Sequence, residues 1–202
     1  MLDIGCGTGR FLAVLAREAK VWGIDASAEM LGVARTRVPP GVRLKQARAE
    51  RPPFRTGWFE RVVYWLVIHL LDRPAAFREA HRLLGEGGRC CIVTFDEAHF
   101  GGYWANRFFP RLEELDRAAF PTADELEREL REVGFSSVRM LRRVHGQRID
   151  RDVALAKIRG KHISTYDRLE PDEFELGLRR AEQELPAKVE TRLRWLLAFA
   201  ER

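Results

Sequence analysis

The chain opens on Leu2-Asp3-Ile4-Gly5-Cys6-Gly7-Thr8-Gly9-Arg10, with Phe11, Leu12 and Leu15 following at helical spacing. Apolar residues run into three glycines on alternate positions and then into a helix, so the stretch reads as strand, tight turn and helix N-terminus. Glycine suits such a turn because it tolerates positive φ and puts no Cβ beside a ligand. Exposed N–H groups and the helix dipole then face whatever sits in the notch. Val21-Trp22-Gly23-Ile24-Asp25 reads as a second strand that ends in an acid. Asp25 lies twenty residues beyond Gly5, the spacing at which a carboxylate can accept both hydroxyls of an adenosine ribose.

The position of the third glycine separates two classes of nucleotide site. A dinucleotide fingerprint runs Gly-x-Gly-x-x-Gly, with room for a pyrophosphate; here Gly9 arrives one residue early. With Asp3 just before it, the segment resembles the signature of class I S-adenosylmethionine-dependent methyltransferases, in the UbiE-like small-molecule group. The resemblance implies an α/β, Rossmann-like, doubly wound and mostly parallel seven-stranded sheet. Its last strand is antiparallel, preceded here by a helical insertion, and in this chain the first strand is truncated to Met1 to Ile4. It implies S-adenosyl-L-methionine as cofactor, with the loop of Asp3, Gly5, Cys6, Gly7 and Gly9 around the amino acid end. Asp25 would hold the ribose, with Ala26 and Met30 following it.

Further motifs extend the resemblance. Ala47-Arg48-Ala49-Glu50-Arg51-Pro52-Pro53-Phe54 is similar to the family segment that meets the adenine with a side chain and a backbone N–H. Arg48 stands where that family often has Asp, and a guanidinium cannot accept from the adenine amino group. Stacking by Arg48, or the Ala49 backbone beside Glu50, would have to serve. A plain surface loop is the other reading. Phe59 to Trp65 is the fourth strand, and ligands in open α/β sheets collect beyond the carboxyl ends of strands. Tyr64 and Trp65 are therefore expected to face the notch, where an aromatic face favours a sulfonium, unless both are packing residues. Leu66 to Asp72 carries His69, which is either a structural histidine among apolar neighbours or a base near the methyl acceptor.

The remaining elements follow from caps and breakers. Ser27 caps a helix that Pro39-Pro40-Gly41 stops, and Val42-Arg43-Leu44 is a short third strand. Pro74 opens a helix, and Leu83 to Arg89 is similar to the family turn before strand five, with Glu86 in place of proline. Cys90 to Phe95 is a continuous apolar strand. Phe100 to Trp104 and Phe108-Phe109-Pro110 form either a substrate wall or a helix packed on the sheet. Thr122-Ala123-Asp124-Glu125 is a capping box, and Gly134 ends its helix. Phe135 to Val144 and Leu193 to Ala200 are the last strands, with the helical insertion at 150–186 between them. The expectation is one domain over 1–202, with a cofactor-binding half at 1–96 and a substrate-side half at 97–202.

Composition narrows the class. The 202 residues are 46% hydrophobic, ordinary for a globular chain, and the apolar run from Val62 to Leu71 is too short to span a bilayer. No basic-then-apolar leader precedes the loop, and the three cysteines, Cys6, Cys90 and Cys91, fall within core elements. A reducing cytoplasm is the expected setting. The net charge of +5 comes mostly from dispersed arginines. One modest cluster runs from Arg139 to Arg151, which an anionic substrate or nucleic acid could exploit. Amino-directed base methylation in the resembling family uses an Asn/Asp-Pro-Pro-aromatic motif, where this chain has Tyr64-Trp65-Leu66-Val67. A small-molecule methyl acceptor is the expected partner, with neither nucleic acid nor membrane, and no metal is implied. The alternatives are a non-catalytic cofactor-binding or interaction protein and, behind it, an RNA methyltransferase. Members of the resembling family also carry helical residues ahead of strand one that cover the ligands. Here either the start lies upstream of Met1 or a lid comes from elsewhere.

Overall fold

A computed structural model describes all 202 residues. Seven strands form one sheet in the order β3-β2-β1-β4-β5-β7-β6: β1 (Leu2–Ile4), β2 (Trp22–Asp25), β3 (Arg43–Gln46), β4 (Phe59–Trp65), β5 (Leu84–Phe95), β6 (Ser137–Asp150) and β7 (Lys188–Glu201). The helices between them are α1 (Arg10–Leu15), α2 (Ala28–Arg37), α3 (Arg73–Leu83), α4 (Leu112–Ala119), α5 (Ala123–Glu132), α6 (Arg151–Arg159) and α7 (Pro171–Glu184). The order reverses direction at β1–β4, both neighbours of β1 being parallel to it: Asp3 pairs with Gly23 on one side and Val63 on the other. That reversal is the switch point where doubly wound sheets open a crevice. β7 runs antiparallel, since Arg202 N–H reaches Gly88 O while Asp96 N–H reaches Arg194 O further back along β7. The expected architecture, down to the reversed last strand and the helical insertion α6–α7 before it, is therefore present.

Local chemistry sets several boundaries. Ser27 Oγ accepts from Met30 N–H at 3.1 Å to start α2, and Asp72 does the same for α3 through Ala75 N–H. At α5 the box is reciprocal: Thr122 Oγ1 accepts from Glu125 N–H, and Glu125 Oε2 accepts from Thr122 N–H. Two expected strands are longer than their apolar runs. β6 continues past Val144 to Asp150, and β7 begins at Lys188 rather than Leu193. Their outer ends pair through backbone hydrogen bonds although most of their side chains stay in water.

The chain divides into two compact units, one of Met1–Thr94, Thr122–Leu141 and Leu196–Arg202, the other of Phe95–Pro121 and Arg142–Trp195. The first holds the core of β1, β2, β4, β5 and the facing helices, built on Leu2, Ile4, Ile24, Val62, Tyr64, Phe77, Leu83, Leu126 and Leu196. The second has its own core, in which Phe109 meets Tyr166 edge-on and stacks on Phe174.

Candidate functional site

The glycine loop is pinned to the end of β2. Gly5 N–H and Cys6 N–H both donate to Ile24 O, at 2.8 and 3.0 Å. Gly7 N–H donates to Asp25 Oδ2 at 2.8 Å, and Ser27 N–H donates to Asp25 Oδ1 at 2.9 Å. One carboxylate thus ties the loop to the turn after β2, and each of its oxygens keeps a lone pair for a further donor. Gly5 and Gly7 take φ of +72° and +51° for different reasons. A Cβ on Gly5 would lie 2.3 Å from Val67 Cγ2, whereas a Cβ on Gly7 would meet nothing within 4 Å. Gly5 is required by packing, and Gly7 leaves open space on the loop.

Asp3 sits under this loop and is 1% exposed. Neither of its carboxylate oxygens has a hydrogen-bond partner, an arrangement that costs free energy until something supplies a donor or a positive charge. Burial, and secondarily the nearby charge of Asp25, push its pKa up to about 7. Two acids, one of them unsatisfied, make a notch suited to a cation and ill suited to a pyrophosphate. Cys6, buried beside them, is pushed up to about 12 by burial and by those two carboxylates, so it remains an inert thiol. Gly9 ends the loop as the N-cap of α1, in the left-handed region.

At the carboxyl end of β4, Trp65 is 37% exposed and stacks on Phe11 with ring centroids 4.2 Å apart. Leu66 follows with φ of +50°, a conformation that is strained for a branched side chain and typical of ligand sites. No sequence pattern marks it. Tyr64 corrects the expectation drawn for it. It is fully buried, donates its hydroxyl to Ala76 O at 2.8 Å and packs edge-on against Phe77. Adjacent residues of a strand point to opposite faces, so Trp65 and Tyr64 cannot both line the notch.

The other expected ligands divide. Ala49 is buried, and Glu50 accepts from Asp72 N–H at 3.3 Å. The Arg48 side chain is exposed and its Nε lies 3.3 Å from Glu50. Ala26 and Met30 are exposed beyond Asp25. His69 lies in a short 3-10 turn at Ile68–Leu70, and burial lowers its pKa to about 4, so it is neutral near pH 7. Of the aromatic residues after β5, Phe100, Phe108 and Phe109 are buried; the last two are core residues of the second unit and do not form a wall.

Residues 1–88 match the family model described as a methyltransferase domain. A demethylmenaquinone methyltransferase of Symbiobacterium thermophilum is 30% identical over 172 residues, covering 67% of each chain. A 2-phytyl-1,4-naphtoquinone methyltransferase of Thermosynechococcus vestitus is 36% identical over 101 residues, covering 46% of this chain and 45% of that protein. An uncharacterised Mycobacterium tuberculosis protein is 36% identical over 139 residues, 66% of this chain and 46% of that one. The chain thus spans about half the length of several curated relatives it matches. Among solved structures, a methyltransferase described as part of an antibiotic biosynthesis pathway of Anabaena variabilis superposes with a TM-score of 0.78. It is 22% identical, over 97% of this chain and 88% of that one, a likeness of fold.

Proposed function

We propose, on the premise that this chain belongs to the class I S-adenosylmethionine-dependent methyltransferases, that it transfers a methyl group from S-adenosyl-L-methionine to a small molecule. The observation that carries the reading is the Gly7–Asp25 hydrogen bond directly beside the unsatisfied Asp3 carboxylate. Asp25 has lone pairs left for ribose hydroxyls. Asp3 answers a positive charge, and Gly7 keeps the loop open for a ligand's approach. When bound, the cofactor supplies a methyl group already activated on a sulfonium.

The protein's part is then alignment and exclusion of water. Trp65 offers an aromatic face that attracts a cation by about 0.5–2 kcal/mol. His69, neutral at physiological pH, accepts a hydrogen bond from an acceptor's O–H or N–H more readily than it removes a proton. The acceptor is a small molecule and not nucleic acid, in keeping with the Tyr64-Trp65-Leu66-Val67 segment at the carboxyl end of β4. No helix is long and apolar enough to cross a membrane, and a cytoplasmic setting fits three cysteines left as thiols. The test is transfer of a labelled methyl group from S-adenosylmethionine into a metabolite extract and, separately, into RNA. Label in a low-molecular-weight product supports the reading. Label in RNA alone, or in neither, refutes it.

A further inference from the structure

The outer ends of β6 and β7 form a two-stranded ribbon in the second unit, and its pairing sorts their charges by face. Asp96 N–H donates to Arg194 O at 2.9 Å, so Asp96 and Arg194 stand opposite one another and project to the same side. Arg142 reaches that side too, with Nε 2.6 Å from Asp96 Oδ2. Further out, Arg148 pairs with Glu190 at 2.8 Å and Lys188 pairs with Asp150. The Arg151 N–H to Ala187 O hydrogen bond sets the register, which puts Gly146 across from Arg192 and Val144 across from Arg194.

Every acid on this face is thus engaged by a cation, whereas Arg192 and Arg194 form no ion pair and no side-chain hydrogen bond. Arg192 is exposed and Arg194 half-buried. Opposite Arg192 there is no side chain, and a Cβ built on Gly146 would come no nearer to anything than 3.9 Å, at Thr191 O. Like charges two residues apart on one face of a strand repel, and the one acid opposite them, Asp96, is already paired with Arg142. Buried His99 bonds to the Arg192 carbonyl and is held neutral by burial, with the Arg194 charge adding to that effect. Counting Arg142, Arg192 and Arg194 against Asp96 leaves two positive charges on this face. Guanidinium forks match the oxygens of phosphate and can bind them in pairs.

We propose that Arg142, Arg192 and Arg194 form an anion-binding ledge that receives the dianionic phosphate group of a ligand. The ledge rests on the second unit alone and stands or falls apart from the donor site. The probes are inorganic phosphate and pyrophosphate, titrated into the full chain by calorimetry at fixed ionic strength. Saturable binding of one anion per chain is expected, weakened at least about tenfold in the double variant Arg192→Gln/Arg194→Gln. The double variant Arg139→Gln/Arg143→Gln, which removes the same charge from the other side of β6, is expected to stay within about twofold of the parent chain. Thermal melts of both variants establish that they are folded. Absence of saturable binding, or an equal loss in the two variants, overturns the ledge in favour of diffuse attraction to a basic surface. S-adenosylhomocysteine affinity, measured alongside, is expected to be unchanged in both variants. If the parent chain fails to bind S-adenosylhomocysteine, it is the methyltransferase reading that fails and not the ledge.

Discussion

Asp3 concentrates the opposition between stability and binding at one carboxyl group. In the fold it keeps its proton up to about pH 7, against an ordinary value of 3.8. Between those values the native state holds a proton that the unfolded chain has lost, so Asp3 makes stability fall as pH rises through that window. The penalty is complete above pH 7 and is at most about 4 kcal/mol. Asp3→Asn is therefore expected to raise the melting temperature at pH 8, with the gain shrinking to nothing below about pH 4. The same change is expected to weaken S-adenosylmethionine binding at pH 8. Calorimetry of the parent chain at pH 6 should show proton release on binding, because a cationic donor favours the ionised carboxylate. Asp3 was legible as part of the motif that leads into the glycine loop; its lack of a partner was not, since that depends on which groups the neighbouring strands bring within reach. Tyr64 shows the opposite failure. The two-residue period of a strand turns it to the face opposite Trp65, where its hydroxyl is satisfied by Ala76.

At the scale of elements, the glycine loop separates packing from binding. Gly5→Ala would drive a Cβ into Val67 at a positive φ, and a loss of about 2–4 kcal/mol in chemical denaturation is expected. Gly7→Ala meets open space and should cost only about 1–2 kcal/mol, the penalty for the left-handed backbone, while weakening donor affinity severely by closing the notch. The α5 capping box is expected to be worth about 1 kcal/mol, measured as the loss in Thr122→Ala. Caps of this kind were legible because one side chain and one nearby N–H decide them, as at Ser27 and Thr122. Strand ends were not. β6 and β7 run on through Arg148 and Glu190, where no apolar alternation marks them. Backbone pairing and cross-strand ion pairs extend the ladder there.

For the molecule as a whole, the order around β1 and the reversed β7 were legible through the family resemblance of the loop and its neighbouring motifs, while apolar runs and helical spacing marked only the individual elements. What remained hidden was the grouping of residues into two compact units, because the second core draws Phe109, Tyr166 and Phe174 from segments far apart in the chain. The phenylalanines after β5 looked like a ligand wall for the same reason. The proposed donor site depends on residues near the start of the chain, with the glycine loop tied to the Asp25 carboxylate by the Gly7 hydrogen bond. Its most direct test is the affinity of Asp25→Ala for S-adenosylmethionine, measured by calorimetry against the parent chain with circular dichroism to establish folding. A loss of at least about tenfold with the fold intact is expected; an unchanged affinity would contradict the assignment of Asp25 and the glycine loop as the place where the donor is held.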